Sequence, residues 1–216
     1  MVWKLFNYEK AVHAQKILGE KVLRQVAEFP RLDLSKVRLT AGFDSSFINN
    51  VQIAVAVVYD SAADSVVDEK VTRREALIPY IPGLLAFREL PGYLKTLSHL
   101  NVKPDVLLVD GHGLTHPRAF GIATHLGFVT KTPSIGVAKK PLHGVVDEEG
   151  YIIAHGQRLG KVLHYGKRRL YVSIGYGLSL ESAVEIVEKL LRGDNRLPIP
   201  LHYADKLSRK YKKENP

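Results

Sequence analysis

Three strand-like segments follow one another in the first third of the chain, and this succession limits the fold more than any other feature. Residues 37–44 (VRLTAGFD) alternate side chains in the manner of a strand. Residues 51–60 (VQIAVAVVYD) are apolar along most of their length and read as a buried strand. Residues 64–76 form a third such segment after a turn at 61–64. Three consecutive strands predict an antiparallel meander.

Helical and strand segments alternate after the meander. A helical stretch covers about 84–100, and Pro91 inside it predicts a kink or two short helices. Pro117 is placed to open a helix that Gly127 closes. The other expected elements are a helix over 8–29 stopped by Pro30, strands over 105–110, 134–140, 151–154 and 170–174, a helix over 182–192 with Ser182 and Glu185 as a capping box and Gly193 at its end, and a short basic helix from about Pro200.

These elements predict an α/β protein with a mixed sheet and helices on its faces. The chain has 216 residues, 45% of them hydrophobic, so we expect one domain over 1–216. No apolar run approaches the roughly 18 residues that span a bilayer, and the start lacks the apolar stretch of a signal peptide. We therefore expect a cytoplasmic protein with no membrane partner. The lack of cysteine excludes disulfides, thiolate metal sites and cysteine nucleophiles.

The charge of the chain favours a polyanionic partner. Its formal net charge is +9, and each phosphate that such a surface neutralises releases counterions from nucleic acid. Positive charge is concentrated in residues 167–169 and in the tail from Lys206 to Lys213. A frayed, solvated chain end is the alternative explanation for the tail.

Three acids are candidates for a metal site. Asp44 and Asp110 each end an apolar segment, where α/β sheets place their sites, and Glu89 lies on the helix between them in the sequence. Three oxygen ligands without a His or Cys cluster suit a hard cation, Mg²⁺ or Mn²⁺, that activates a water for attack on a phosphate. Each acid alone also has an ordinary explanation, because Asp44 and Asp110 fit turns and Glu89 fits a solvated helix face.

Lys139 and four residues in and beside the GHG turn (111–113) accompany the acids. Lys139 ends the segment SIGVAK and is placed to hold a phosphate, although a lysine with its head in solvent gives the same pattern. His116 precedes an expected helix N-terminus, which favours anions; an ordinary loop histidine is the alternative. Gly111 and Gly113 allow close approach of a ligand, and His112 between them is expected to face solvent.

The segment PYIPG (79–83) is a turn stiffened by two prolines. Such a turn holds Tyr80 and Ile81 out at low entropic cost, which suits an aromatic wedge that fills the gap left by an extruded base. Packing of the tyrosine on its own domain is the alternative. Leu85 lies one helical turn before Glu89, so an apolar residue facing the base and a metal-binding acid can share one helix.

Four segments carry a resemblance to a known family. They are AGFDSSF (41–47), PYIPGLLAFRE (79–89), PDVLLVDGHGLTHPRAFGIATHLG (104–127) and PSIGVAKKPL (133–142), in the order and spacing of the endonuclease V family. The chain resembles that family over most of its length, and the PYIP and DGxGxxHPR motifs together are highly specific. The resemblance implies a ribonuclease H-like fold, with a central mixed sheet whose first three strands are antiparallel and whose later strands are parallel, flanked by helices.

The resemblance also implies three groups of functional residues: a catalytic metal centre, a wedge for DNA, and a wall for the flipped base. The metal ligands are Asp44, Glu89 and Asp110, with Lys139 near the scissile phosphate and His116 at the edge of the active site. The wedge is Pro79, Tyr80, Ile81 and Pro82. The wall of the base pocket is Gly83, Leu85, Gly111, Gly113, Gly121 and Ile122. His202 matches a further family histidine.

Members of that family cleave DNA one nucleotide beyond deoxyinosine on its 3′ side, leaving 3′-hydroxyl and 5′-phosphate ends. The resemblance therefore implies a monomeric, Mg²⁺-dependent repair endodeoxyribonuclease for DNA with deaminated adenine, with Mn²⁺ as a substitute ion. An inosine-specific endoribonuclease of the same fold and a non-catalytic nucleic-acid-binding protein are the alternatives. Phe43 and His112 depart mildly from the family pattern. Phe43 is expected to affect packing, and His112 neighbours the expected pocket.

Overall fold

A nine-stranded sheet organises the part of the chain that the computed structural model describes, residues 6–166, 168–193 and 195–214. Its order is β3-β2-β1-β4-β5-β9-β8-β7-β6. Strands β1 to β3 pair antiparallel, β4 pairs parallel with β1 and β5, and the remaining pairs are antiparallel. The expected mixed α/β sheet is therefore confirmed. The strands are β1 Leu39–Ile48, β2 Val51–Asp60, β3 Ser65–Glu75, β4 Val106–Asp110, β5 Ser134–Ala138, β6 Val145–Val146, β7 Tyr151–Ala154, β8 Gln157–Tyr165 and β9 Arg168–Tyr176.

Helices cover both faces of the sheet. Strand β2 shows this directly, because Ala54 and Ala56 belong to the core under α2 and α3, whereas Val55 and Val57 pack beside Ala204 of α5. Both sets of side chains are buried, which explains the nearly continuous apolar run of β2. In the described residues, no helix has the length and apolar character needed to cross a membrane. The α-helices are α1 Tyr8–Gln25, α2 Leu85–Ser98, α3 Ile122–Thr130, α4 Leu180–Lys189 and α5 Ile199–Lys213, with a 3₁₀ turn at Val26–Glu28.

Strand β1 is longer than expected, and Asp44 does not end it. Every residue from Leu39 to Ile48 pairs with β2, with Asp44 opposite Val55. A two-residue turn closes this hairpin, and its first residue, Asn49, has φ of 51°, which suits the primed turns that match strand twist. The prediction of a strand end at residue 44 was wrong because backbone pairing continues through a polar stretch.

Helix α2 is one continuous helix through Pro91, so of the two expected alternatives, a kink or two short helices, the second is wrong. Ala86, Leu90 and Tyr93 form its buried face against the core. A proline inside a helix costs about 3 kcal/mol, and burial of one large side chain recovers roughly 1.5–3 kcal/mol. Packing of several buried residues therefore outweighs the lost hydrogen bond.

The segment after the GHG turn is not helical from Pro117. Ala119 has φ of 48°, and the amide of Gly121 donates to the carbonyl of Gly113 at 3.1 Å, so the chain folds back on the turn before α3 begins at Ile122. Gly127 lies inside α3 rather than at its end. A Cβ there would lie 2.1 Å from Ser134 Oγ, so this glycine serves helix–strand packing.

Helix α4 begins three residues earlier than the predicted capping box. Ser179 is its N-cap and accepts a hydrogen bond from the amide of Ser182 at 3.3 Å. The hydroxyl of Ser182 instead accepts from the amide of Leu32 at 2.8 Å, and Glu185 pairs with Arg31. The predicted box was wrong because both of its side chains bind the loop after α1.

The basic tail is an ordered part of the fold as far as its structure is described. Helix α5 has 15 residues, rather than the short helix expected, and packs on β1 and β2 with Leu201, Ala204 and Ser208 buried. A frayed end is therefore wrong for residues up to Lys213. This helix brings the C-terminal residues to the sheet strands that carry Asp44 and Asp110.

Candidate active site

Two neighbouring strands and one helix bring three carboxylates together. Asp44 on β1 and Asp110 at the end of β4 lie on adjacent parallel strands, with Phe43 opposite Val109. Helix α5 crosses β1 at Gly42 and adds Asp205. Ligand oxygens of Asp44, Asp110 and Asp205 all lie within 4.8 Å of one another.

Close contact between α5 and β1 makes this convergence possible. A Cβ on Gly42 would lie 2.4 Å from the carbonyl carbon of Pro200, so only glycine allows the helix to approach so closely. About two turns beyond Pro200 on α5, Ser208 donates a hydrogen bond to Asp44 Oδ2, and Ser46 Oγ donates to the carbonyl of Ser208 at 2.7 Å. The helix is therefore fixed to β1 on both sides of Asp205.

Asp205 is a candidate site residue that the sequence analysis missed. It is the single acid in the basic helix from Ile199 to Lys213, and Ser208 follows it by three residues on the same face. An acid isolated among cations, with a second polar residue at helical spacing, is a signal that the sequence contained. Its closeness to Asp44 and Asp110 depends on tertiary docking of α5.

Glu89 lies beside this group but outside the set of oxygens within 4.8 Å. Its Oε2 accepts from the hydroxyl of Tyr93 at 3.1 Å, and its backbone carbonyl accepts from Gln52 at 2.9 Å. Burial raises the pKa of Glu89 to about 7, and the charges of Asp44 and Asp110 add to this rise. The four acids are therefore electrostatically coupled.

Burial and like charge also raise the pKa of Asp44, to about 6. Burial contributes most, the hydrogen bond from Ser208 opposes it, and the charges of Asp110 and Asp205 raise it further. A site that holds carboxylates close together and partly protonated near neutral pH gains free energy when a cation neutralises them.

Lys139 supplies one such positive charge. Its Nζ donates to Asp110 Oδ2 at 2.6 Å and lies 3.6 Å from Asp205 Oδ1. Although burial lowers its pKa, the neighbouring carboxylates raise it above the ordinary value, so Lys139 is an ammonium. The donor set consists of carboxylate oxygens, which fits a hard divalent cation such as Mg²⁺ or Mn²⁺ and does not fit a soft one.

The Tyr80 turn projects from the surface next to these acids. The amide of Leu84 donates to the carbonyl of Ile81 at 2.9 Å, and Gly83 has φ of 78°, which together with Pro82 defines a type II turn. Tyr80 is 66% exposed, as the turn chemistry predicts. Its role as a wedge stays a prediction.

Polar contacts fix the turn from below. The carbonyl of Gly83 accepts from Arg118 Nη2 at 2.6 Å and from His116 Nε2 at 3.1 Å. Arg118 Nε in turn donates to Gln15 Oε1 at 2.6 Å, and Arg88 donates to the carbonyl of Ile78. The turn is therefore a fixed part of the surface rather than a free loop.

A cavity of about 180 Å³ lies under the turn. An apolar cavity of about 150 Å³ holds one benzene ring, so this space suits a single planar heterocycle. Gly113 does not line the cavity. A Cβ there would lie 2.0 Å from the carbonyl oxygen of Ile174, so this glycine instead allows close packing on β9. The other five predicted wall residues line the cavity: Gly83, Leu85, Gly111, Gly121 and Ile122.

Both histidines of the GHGLTH segment are held in the cavity wall. His112 is half-buried, with Nε2 donating to the carbonyl of Lys140 at 3.0 Å and Nδ1 3.2 Å from Thr115 Oγ1, so the prediction that it faces solvent was wrong. His116 is 4% exposed, and burial lowers its pKa to about 4. A neutral His116 that binds the carbonyl of Gly83 lies in the cavity rather than among the carboxylates.

Two further residues from the sequence analysis have defined places. Phe43 is fully buried and packs on Tyr93 with ring centroids 5.5 Å apart, so its expected effect on packing is confirmed. His202 lies half-buried on α5 and borders a large groove next to Lys139 and Asp205. It is near the acids without belonging to their group.

Comparison with known proteins agrees with this arrangement. A sequence profile described as Endonuclease V matches residues 20–206. Endonuclease V of Desulfurococcus amylolyticus is 50% identical over 208 residues, covering 94% of this chain and 95% of that protein. The crystal structure of endonuclease V from Streptomyces avermitilis has a TM-score of 0.84 at 33% identity, covering 96% of this chain and 94% of that one.

A third relative was solved with nucleic acid. Ciona intestinalis endonuclease V, in complex with a 24mer DNA containing an inosine followed by a ribo-adenosine, has a TM-score of 0.77 at 31% identity, covering 91% of this chain and 97% of that one. The family profile spans most of the sequence, and one relative has half of its aligned residues identical. Both matches assign the same family. The chain belongs to the endonuclease V family.

Proposed function

We propose that this protein is a DNA repair endonuclease that cuts the strand one nucleotide 3′ of deoxyinosine and leaves 3′-hydroxyl and 5′-phosphate ends. The observation that carries the proposal is the convergence of Asp44, Asp110 and Asp205 beside a cavity covered by the exposed Tyr80. The inosine-containing DNA bound by the Ciona relative supports this substrate class. Residues 1–216 act as one domain and one monomer in the cytoplasm.

Asp44, Asp110 and Asp205 would hold Mg²⁺, with Mn²⁺ as a substitute, and the neighbouring Glu89 would add a fourth carboxylate. A divalent ion held there would supply Lewis acidity to the scissile phosphate and to the attacking water. The chain's own contribution is to hold the acids in fixed positions, with Ser208 orienting Asp44 and Tyr93 orienting Glu89. Lys139, bound to Asp110, donates to a non-bridging phosphate oxygen and balances its charge.

Selectivity comes from extrusion of the lesion base. Hypoxanthine pairs weakly, so removing it from the stack costs less free energy than removing a normal base, by up to a few kcal/mol. Tyr80 on its fixed turn fills the gap left in the stack. The base enters the cavity, where Gly111 and Gly121 allow close approach of the backbone to its edge.

An inosine-specific endoribonuclease of the same fold remains the second enzymatic candidate, because the cavity walls named above recognise a base rather than a sugar. A non-catalytic binding protein is disfavoured. Clustered carboxylates repel phosphate unless a cation intervenes. Burial is the main cause of the raised pKa of Asp44 and of Glu89, and the like charges of neighbouring acids add to it.

Cleavage of a labelled oligonucleotide with one deoxyinosine tests the proposal. We expect a cut one nucleotide 3′ of the lesion with Mg²⁺ and none with a chelator. Asp110→Asn should slow the cut by about 100-fold or more, since even residues that only orient metal ligands are worth 10–100-fold. Glu148→Gln, on the exposed turn before β7, is the matched control.

A matched strand with inosine in RNA separates the two enzymatic candidates. Faster cleavage of the RNA would replace the DNA repair assignment by the ribonuclease. Cleavage by Asp110→Asn at the parent rate would refute the metal site itself.

A further inference from the structure

A groove of about 1390 Å³ runs between α5 and the start of β9. Its floor is apolar, formed by Leu170, Leu197 and Leu207. Among the described residues, eight Lys or Arg and three acidic side chains border it. The groove is therefore strongly positive around a floor of aliphatic side chains.

Four of its cations are available for a ligand. Arg169, Arg196, Lys206 and Lys213 are exposed, and within the described part of the chain none of them forms an ion pair. They come from β9, from the loop before α5, and from two different turns of α5. Cations from three elements that face one groove without internal partners indicate an anionic ligand from outside.

The groove also offers an aromatic surface. Tyr203 borders it and is 42% exposed, with its ring at the edge of His202, 5.7 Å between centroids. A positive channel with an exposed aromatic side chain is the combination that tracks single-stranded nucleic acid, because cations bind the phosphates and the ring stacks on a base. A compact anion would not need a groove of this volume, bordered by cations from three elements.

The position of the groove defines which part of a strand it takes. Lys139 and Asp205 belong both to its border and to the acid cluster. The base cavity reaches the same cluster through Gly111, next to Asp110, and among described residues the two linings share no member. The carboxylates therefore adjoin both the cavity and the groove.

We propose that the groove binds the strand on the 3′ side of the cut, so that a DNA strand runs 5′ to 3′ from the base cavity, across the carboxylates and into the groove. This polarity rests on the proposed function, which puts the lesion in the cavity and the cut on its 3′ side. The 5′-phosphate product would then remain on Arg196, Lys206 and Lys213 after cleavage.

Single-turnover cleavage with shortened substrates tests the polarity. The reference substrate is a deoxyinosine strand with about twelve nucleotides on each side of the cut, a length within the range of known single-strand sites. In a second substrate the 3′ side is shortened to about three nucleotides, and in a third the 5′ side is shortened to about three. For the parent protein, we expect the half-saturating concentration to rise about tenfold with the short 3′ flank and less with the short 5′ flank.

A pair of variants identifies the residues. Arg196→Gln with Lys213→Gln should bind the long substrate as weakly as the parent binds the short 3′ flank, with the saturated rate retained. For this variant, the plot of log affinity against log salt concentration should be less steep than for the parent by about 1.4, which is about 0.7 for each lost phosphate contact. Lys16→Gln with Lys103→Gln removes the same charge from exposed positions outside the groove and should match the parent.

The outcomes are distinguishable. Equal effects of the two variant pairs would show that only net charge matters and would overturn the groove. A larger effect of the short 5′ flank would overturn the polarity. Failure of the parent to cut any deoxyinosine strand would refute the proposed function, and the 3′ assignment with it.

Discussion

Replacing Glu89 by Gln is expected to stabilise the metal-free protein near pH 8 and to leave its stability unchanged near pH 4, below the unfolded pKa of the acid. Burial, with the charges of Asp44 and Asp110, raises the pKa of Glu89 from 4.5 to about 7. Above that pH the folded protein holds a buried carboxylate close to other acids. Gln has nearly the same shape as the protonated acid and still accepts the hydrogen bond from Tyr93.

The sign follows from linkage. A carboxyl group whose pKa is raised by folding stabilises the fold fully below its unfolded pKa of 4.5, and that contribution disappears as pH rises through about 7. A rise of that size corresponds to at most about 3 kcal/mol, since one pKa unit is about 1.4 kcal/mol and solvent screens part of it. For a chain of this length, a change of about 3 kcal/mol in the free energy of unfolding shifts Tm by about 6–12 °C.

Thermal unfolding in a chelator across about pH 4–8 measures the effect. The Tm of the parent should fall relative to that of Glu89→Gln as pH rises, with the two curves meeting near pH 4. Adding Mg²⁺ near pH 8 should raise the Tm of the parent and raise that of the variant less, because the variant has lost a ligand. Glu148→Gln, at an exposed position, should run parallel to the parent. A variant less stable than the parent near pH 8, or a difference independent of pH, would refute the electrostatic account of Glu89.

Three further predictions concern other parts of the site. Gly42→Ala should cost about 1–3 kcal/mol of stability and should reduce Mg²⁺ affinity measured by calorimetry, because the added methyl group pushes Pro200 and α5 away from β1. Gly156→Ala is the control: it strains the backbone at a positive φ far from α5, and it should lower stability without changing Mg²⁺ affinity. Tyr80→Ala should weaken binding of lesion DNA by about tenfold or more in anisotropy titrations and leave Mg²⁺ affinity unchanged, since one stacked aromatic is worth about 1–3 kcal/mol. Gln15→Ala should weaken the discrimination between lesion and undamaged DNA, because it removes the acceptor that positions the arginine under the Tyr80 turn.

The sequence predicted elements whose local pattern and tertiary burial agree. Residues 51–60 form β2 with the expected bounds because both faces of that strand are buried, so its apolar run leaves no alternative. The type II turn at Pro82–Gly83 follows from two residues whose backbone preferences act locally. The end of β1 was missed because residues 45–48 are held by pairing with β2 rather than by an apolar pattern.

Features created by packing between distant segments were not predictable in the same way. Strand β8 was missed because its residues are mostly only half-buried or exposed, and pairing with β9 holds them in the sheet. Asp205 was missed because nothing near residue 205 in the sequence indicates that α5 docks on Gly42. The sequence thus predicts Asp44 and Asp110 on the sheet and Glu89 on the adjacent helix. The fourth acid, Asp205, depends on a contact between segments more than 150 positions apart, like the contact in the Ser208–Asp44 hydrogen bond.

The docking of α5 links the two halves of the proposed chemistry. One face of this helix brings Asp205 and Ser208 to Asp44, which concentrates negative charge at the point of cleavage. The adjacent face presents Lys206 and Lys213 to the groove, which attracts the phosphates that those acids would otherwise repel. A helix with only Lys and Arg side chains would bind the strand but would leave a metal ion in the acid cluster with fewer carboxylate ligands. A helix with only acidic side chains would repel the strand. In the proposed mechanism, the mixed sequence of α5 would therefore let one helix contribute to both the metal site and the strand-binding groove, and its close contact with β1 fixes the position of Asp205 relative to Lys206 and Lys213.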